Sequence, residues 1–286
     1  MPINSNPTIR QRRLARSLRD LRMAAGLKHS DAAAALDCAE SKMTRIENAQ
    51  SGIRLLDLRA LLDLYGITDL AEREQIEELA RGASRKGWWT RYSNVIDSAY
   101  AAYVTVEWDA SEIYNVETQL IPGLLQTPEY TRALIRLQVP DASDEAIQTQ
   151  VAVRAERRKV LERTTPLQLW VILAESMLCT SVGGPDVMKG QLEFLLQASK
   201  ESNVELQVLP QGDPMNACLF GPFVVMSFPG QSESDVVYTD SPTSTVYYEE
   251  SPDVETYTTL FRRLNSAASS VDNSRRLISA ALKEMG

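Results

Sequence analysis

The sequence predicts an α+β protein in two parts: an all-α domain at the N-terminus, then a mixed α/β domain with a mostly antiparallel sheet. A length of 286 residues favours two domains over one. Residues 1–66 show short helical patterns and no strand pattern. The rest of the chain alternates strands with capped helices, and four of the strands cluster late.

Composition limits the class of protein. The hydrophobic fraction of 44% is ordinary for a soluble protein, and no apolar run approaches the ~18 residues that span a bilayer. The start, "MPINSNPTIRQRR", has no apolar core typical of a secretory signal, so we expect a cytoplasmic protein without membrane contact. Three widely spaced cysteines, Cys38, Cys179 and Cys218, argue against a disulfide framework and a metal site. We expect no metal and no cofactor.

Charge is unevenly distributed along the chain. The net charge is −8, yet residues 1–66 contain eleven Lys or Arg against seven Asp or Glu. The remaining residues therefore carry a net charge of −12. A basic N-terminal part on an acidic body is expected when only the first part contacts a polyanion such as DNA.

The first two helices follow from apolar spacing and capping signals. A helix is predicted from Ile9 to Ala25, because Leu14, Leu18 and Leu21 form one stripe and Gly26 is suited to end it. A second is predicted from Ser30 to Leu36, capped by His29 or Ser30. The turn 37–39 follows, where Asp37 occupies a position that often requires positive φ.

The third helix is the segment "AESKMTRIEN", Ala39 to Asn48. Met43 and Ile46 are three residues apart, so they share one face that can pack on a core. The other face carries polar and basic side chains: Glu40, Ser41, Lys42 and Arg45. A polar turn with Gly52 follows, and a fourth apolar helix contains Leu55, Leu58, Leu61 and Leu62. Helix, short turn, helix and a packing helix indicate a compact helix-turn-helix domain.

The stretch "GLKHSDAAAALDCAESKMTRIENAQSGI" resembles the helix-turn-helix of the Cro/phage-repressor type, often called XRE. Its "RIEN", residues 45–48, matches the ending typical of that family. The resemblance implies a buried structural ion pair between Arg22 and Glu47. The chain departs from the family pattern at Lys28-His29, which replaces the usual Thr-Gln, and at Ala49, which replaces the usual Gly.

A recognition helix of this kind lies in the major groove and presents its N-terminal residues to base edges. We therefore expect Glu40, Ser41, Lys42 and Arg45 to contact DNA there. The predicted phosphate contacts are Asn48, Arg12, Arg13, Arg54 and, at the start of the second helix, His29. The expected target is double-stranded DNA with an inverted-repeat operator, bound by a homodimer that is nucleoid-associated while on DNA.

The sequence predicts domain boundaries at residues 1–66, 67–87 and 88–286. The middle segment is expected to be a connecting helix capped by Thr68, followed by the flexible linker "RGASRKG". Trp88 and Trp89 are then expected to open the core of the C-terminal domain.

Residues 88–286 contain six strand-like segments: "EIYNVETQLIP", "LQLWVILAE", "VELQVLP", "FVVMSFP", "DVVYTD" and "STVYYEE". Helices are predicted after Thr127, from "DEAIQTQ", from Pro185 and from "SPDVETY", and a last one from Ser274 to Glu284.

Nothing in the C-terminal domain predicts an enzyme. The single histidine, His29, lies in the N-terminal domain, so the commonest general base is absent from the body. Glu175 and Asp240 at strand ends could form an acid/base pair, but such residues are more often caps. Three interpretations of the body therefore compete: a partner-binding domain, a sensor of a small molecule and, less favoured, an enzyme. For the sensor, a pocket could be lined by side chains that could equally be core: Tyr238, Tyr247, Tyr248 and Trp170.

Segments in this body, among them "VETQLIPGLLQTPEYTRAL", "VGGPDVMKGQLEFLL" and "GPFVVMSFP", resemble the C-terminal domain of the WhiJ-like, antitoxin-like XRE regulators of actinobacteria. The similarity extends over about residues 10–285. It implies transcriptional regulation and a small partner protein encoded nearby. We expect a repressor rather than an activator. The resemblance carries over no binding residues for the body.

Overall fold

The computed structural model of the chain describes residues 7–84, 87–229 and 235–285. They form two compact units. The first, here called the helical unit, contains the described residues up to Thr90 together with Phe228 and Pro229. The second, the sheet unit, contains Arg91–Ser227 and the chain from Asp235 onward. In the described ranges no helix is both long and apolar enough to cross a membrane.

The helical unit consists of five helices around one core. They are α1 (Ile9–Ala24), α2 (His29–Ala35), α3 (Glu40–Glu47), α4 (Leu55–Leu64) and α5 (Leu70–Ser84), followed by a 3-10 turn at Trp88–Tyr92 that extends into the sheet unit. The core contains side chains from all five helices, among them Leu18, Ala32, Met43, Leu61 and Ile76. The predicted stripes of the first, third and fourth helices therefore pack as one cluster.

The fifth helix lies within the helical unit, which differs from the predicted boundary at residue 66. Ile76 and Leu79 of α5 are buried in the same core as the helices before it, and Trp89 also belongs to this unit. Six of the fifteen residues of α5 are charged, and its sequence predicted a connecting helix. Residues 85 and 86 of the predicted linker lie outside the described residues.

Turns in this unit need unusual backbone angles. Asp37 has φ +47°, as its position in the turn before α3 predicted, and Gly26 after α1 has φ +71°. Ala49 after α3 also has a positive φ, +56°. Helix α2 starts one residue before the prediction, since the cap is Lys28, whose N–H donates to Asp31 Oδ2 at 2.7 Å. At α5 the cap is Asp69 rather than Thr68, with Glu72 N donating to Asp69 Oδ1 at 2.8 Å.

The sheet unit has six strands and six α-helices among its described residues. The strands are β1 (Glu112–Glu117), β2 (Gln168–Ala174), β3 (Val204–Leu209), β4 (Phe223–Ser227), β5 (Val236–Ser241) and β6 (Ser244–Tyr248). The helices are α6 (Ser98–Asp109), α7 (Pro128–Gln138), α8 (Asp144–Arg158), α9 (Pro185–Ala198), α10 (Ser251–Ala267) and α11 (Val271–Glu284). The sequence missed α6, whose apolar residues follow no single helical stripe.

The strands form one mixed sheet in the order β3-β2-β1-β4-β5-β6. Strands β1, β2 and β3 are parallel, because helices α7, α8 and α9 return the chain between them. Strands β4, β5 and β6 extend the other edge of β1 in antiparallel pairs. Three of the five strand pairs are antiparallel, so the sheet is mostly antiparallel, as predicted. The two parallel pairs, β1–β2 and β2–β3, were not predicted.

One face of the sheet packs against α10. The register places Tyr114, Trp170 and Val225 side by side across β1, β2 and β4, and α10 covers this face with Phe261 and Leu264. The helix predicted from "SPDVETY" is thus present and packs on the sheet. Helix α11 contacts β3 and α9 instead.

Candidate nucleic-acid interface

Helices α2 and α3 form the helix-turn-helix. Ala32 and Ala33 of α2 are buried, and these small side chains let α3 approach closely. Met43 and Ile46 hold α3 to the core with exposures of 0% and 3%. The opposite face of α3 is exposed and carries four residues that can reach a groove: Glu40, Ser41, Thr44 and Arg45. Thr44 was not predicted, although its spacing from Ser41 places it on the same face.

Arg22 and Glu47 form a buried bidentate ion pair between α1 and α3. Arg22 Nε and Nη2 donate to the two Glu47 oxygens at 2.7 and 2.8 Å, and Arg22 Nη1 donates to the Leu27 carbonyl at 2.7 Å. The hydrogen bond to Glu47 raises the pKa of Arg22. His29, predicted as a DNA contact, lies with Nε2 3.1 Å from Glu47 Oε2. Its side chain therefore faces this pair and is oriented for the scaffold rather than for phosphate.

Lys42 and Arg54 meet at a third residue, Asp57. Arg54 donates to both Asp57 oxygens at 2.9 and 3.2 Å, and Lys42 Nζ lies 3.5 Å from Asp57 Oδ2. The Arg54 guanidinium lowers the pKa of Asp57. Because the Arg54 side chain is still 80% exposed, it can also approach a phosphate. Lys42 and Arg54, both predicted to contact DNA, therefore lie beside the same carboxylate.

The two predicted phosphate contacts on α1 have partners within the helical unit. Arg12 Nη1 donates to the Pro7 carbonyl at 2.8 Å. Arg13 is only 6% exposed, and its guanidinium lies 3.2 Å from the ring centroid of Phe228. A guanidinium covered in this way packs within the helical unit, so the geometry argues against Arg13 as a phosphate contact. Sequence periodicity alone could not find Phe228, which lies more than two hundred residues away.

Two cations that were not predicted to contact DNA lie near α3. Arg19 and Lys28 are exposed and line a cleft of about 420 Å³ together with Asn48 at the end of α3. The available signal was the spacing of Arg19 from Arg22, which places both on one side of α1. This cleft has the charge expected of a backbone-phosphate contact.

Comparison with known protein families agrees with this division of the chain. Residues 100–280, more than half of the sequence, match a family described as a domain of unknown function, DUF5753. The chain belongs to the DUF5753 family. Residues 13–76, from α1 into α5, match a helix-turn-helix domain. No curated protein and no solved structure gives a significant match. The helix-turn-helix domain makes the chain a DNA-binding regulator, with the DUF5753 domain as its second part.

The DUF5753 domain contains its own buried ion pair. Arg157 of α8 donates to both carboxylate oxygens of Glu107 in α6 at 2.7 and 2.8 Å, and to the Tyr100 hydroxyl at 2.7 Å. Gly123 leaves room for it, since a Cβ there would lie 3.1 Å from the guanidinium nitrogens. These contacts fix two helices that the sequence pattern did not connect.

A half-buried carboxyl lies at the end of β1. Burial raises the pKa of Glu117 to about 8, while a hydrogen bond from Asn115 opposes that shift. Asn115 is two residues earlier on the strand and therefore on the same face of the sheet. The charge state of Glu117 consequently changes near neutral pH.

The two carboxylates considered for acid/base chemistry, Glu175 and Asp240, accept hydrogen bonds from neighbouring segments of the chain. Glu175 Oε2 accepts a hydrogen bond from Gln211 N at 2.7 Å, and Asp240 Oδ1 accepts one from Thr245 Oγ1 at 3.0 Å. Glu175 thus holds the start of the loop after β3, and Asp240 bonds across the hairpin of β5 and β6. Of the aromatic residues considered for a pocket, Trp170 lines a cavity of about 350 Å³, whereas Tyr238 and Tyr247 pack on each other at 5.3 Å.

Proposed function

We propose that the chain is a dimeric, sequence-specific repressor of the XRE type that reads DNA with the exposed face of α3. The observation that carries this proposal is the division of α3 into two faces. Met43 and Ile46 fix the helix to the core, while Glu40, Ser41 and Arg45 are exposed. An anchored helix with long polar side chains is what direct readout of a major groove requires.

Each exposed group has a chemical role in this proposal. Arg45 donates to guanine O6 and N7, and Glu40 accepts from a cytosine amino group. Lys42, Arg54, Arg19 and Lys28 bind phosphates and fix the register of the helix on the duplex.

Selection of bound duplexes from a random library, followed by footprinting, tests the proposal. We expect an inverted repeat whose half-sites lie about one helical turn apart, or a multiple of it, with two chains bound. A single unrepeated half-site bound by one chain would contradict the dimer.

For the DUF5753 domain we propose a binding role without catalysis, and a small partner protein as in the WhiJ-like regulators that the sequence resembles. The net charge of −12 after residue 66 repels DNA, which supports a partner other than DNA for this part of the chain. Native mass spectrometry of the full chain isolated from its host tests this proposal. A bound small protein is expected.

A second candidate is supported by one observation, the cavity beside Trp170 in the sheet unit. A concave space with aromatic and polar walls is typical of a small-molecule site. In this case the domain senses a metabolite. A metabolite and no protein in the isolated chain would favour this candidate over the first.

A further inference from the structure

The cavity beside Trp170 has an aromatic wall. The rings of Tyr114 and Trp170 are stacked, with centroids 4.9 Å apart and planes 17° from parallel. The edge of Phe261, from α10, meets Tyr114 at 5.1 Å. All three rings line a volume of about 350 Å³, at the small end of the range of ligand sites, roughly 300–1,000 Å³. A flat apolar group fits such a wall.

Two opposite charges line the same cavity. Asp235 precedes β5, and Arg262 lies on the exposed side of α10. Among the described residues these two side chains form no ion pair with each other, although both border one small space. Oppositely charged groups that share a cavity without meeting leave room for a ligand with a charge of each sign.

The surroundings of Asp235 favour a cationic group next to it. Burial raises the pKa of this carboxyl, a hydrogen bond with Ser227 opposes that shift, and the nearby carboxylate of Glu112 adds to it. The Glu112 carboxylate accepts a hydrogen bond from the Tyr114 hydroxyl at 2.5 Å, so it is held in place. An ammonium group beside Asp235 would offset both its lost hydration and this repulsion.

We infer that this cavity binds a small zwitterion of the amino-acid type with a flat apolar side chain. The ammonium group pairs with Asp235, the carboxylate with Arg262 and the side chain with the rings of Tyr114, Trp170 and Phe261. The inference deepens the sensor candidate by naming its ligand class, and it is independent of DNA binding. A chain that fails to bind an operator can therefore still confirm it.

Three probes test the inference on the full chain by titration calorimetry: L-phenylalanine, phenethylamine, which lacks the carboxylate, and 3-phenylpropionate, which lacks the amine. Phenylalanine is expected to bind at least about tenfold more tightly than either of the others, which is about 1.4 kcal/mol. If none of the three binds at millimolar concentration, or the amine or the acid binds as tightly as phenylalanine, the inference is wrong.

Two variants assign the charges. Asp235→Asn should weaken phenylalanine and phenethylamine at least about tenfold and leave 3-phenylpropionate unchanged. Arg262→Gln should weaken phenylalanine and 3-phenylpropionate and leave phenethylamine unchanged. Arg263→Gln is the matched control, because Arg263 is the next residue of α10 and lines a different cavity. Equal losses in the control and in Arg262→Gln, or full phenylalanine affinity in both test variants, would place the ligand elsewhere. Thermal melting shows that each variant is folded.

Discussion

Arg45 is the residue on which sequence readout is expected to depend most. It is exposed on α3, and its planar guanidinium can donate two hydrogen bonds to one guanine. Arg45→Ala should therefore cost about 1–3 kcal/mol at the cognate site and relax the preference at one base pair of each half-site. Binding is measured on cognate and scrambled duplexes over a salt series.

Arg19 provides the matched control for Arg45. It is exposed on α1 beside the cleft that Lys28 and Asn48 line, where phosphate is the expected contact. Arg19→Ala should weaken binding to all duplexes alike and lower the salt slope by about one unit. If both alanine variants lose the same factor on both duplexes, α3 lies near DNA but does not read it.

Glu117 makes the stability of the sheet unit depend on pH. Its pKa in the folded chain is about 8, above the ordinary value of 4.5, so the folded state holds the proton more tightly than the unfolded state. The contribution of Glu117 to folding stability is fully present below its ordinary pKa of 4.5, and it is lost as the pH rises through about 8. Glu117→Gln keeps the shape and removes this loss. It should raise the free energy of unfolding by roughly 3 kcal/mol at pH 7.

The measurement is thermal unfolding at several pH values between Glu117's ordinary and raised pKa. Glu205→Gln is the control, since Glu205 is exposed on β3. It should leave the pH dependence unchanged. If Glu117→Gln unfolds with the pH profile of the unaltered chain, the carboxyl is solvated and the assignment of its burial is wrong.

For single residues, the sequence predicted which face of a helix a side chain lies on better than it predicted which residue the side chain contacts. The spacing of Met43 and Ile46 was sufficient to place Arg45 on the exposed face of α3, because it depends only on helical geometry. The fate of Arg13 depends on Phe228, and that of Lys42 on Asp57. Such partners lie on other elements, so local periodicity carries no information about them.

At the scale of elements, the ion pair of Arg22 and Glu47 connects α1 to the helix proposed to read DNA. The two side chains are 8% and 3% exposed, so removing one leaves the other charge buried. Glu47→Ala should lower the free energy of unfolding of the helical unit by roughly 3–5 kcal/mol. Denaturant unfolding followed by circular dichroism measures the loss.

Asp63→Ala is the control for this prediction. Asp63 pairs with Arg73 at 2.7 Å in the same unit, but its carboxylate is 70% exposed. Exposed pairs of this kind contribute about 0–1 kcal/mol. Equal losses in the two variants would mean that the Arg22–Glu47 pair is hydrated in solution.

The helices and strands themselves were mostly predictable, whereas their pairing was not. Thr127 and Pro185 mark helix starts by local chemistry, and both helices begin there. The parallel neighbours of β1 are different, because a buried strand has the same apolar pattern in a parallel or an antiparallel pair. Helix α5 shows the same limit, since its core residue Ile76 stands among charged ones.

For the whole molecule, the proposed dimer requires apolar surface that one chain leaves uncovered. In the helical unit Leu56 and Leu70 are 76% and 81% exposed. Leu56→Asp should therefore shift the chain toward monomer in sedimentation experiments, and weaken binding to two half-sites more than to one. Leu137→Asp, at an exposed leucine of the sheet unit, should leave the dimer intact. A chain that stays dimeric with Leu56→Asp would place the interface elsewhere.

The membership of Phe228 in the helical unit has a consequence for synthesis of the chain. The ribosome produces α1 to α5 first, and their contacts are local enough to form at once. Arg13 nevertheless lacks the ring that covers it until residue 228 has been synthesised, when about four fifths of the chain has been made. A nascent chain interrupted before that point would lack the aromatic cover of the Arg13 guanidinium on α1.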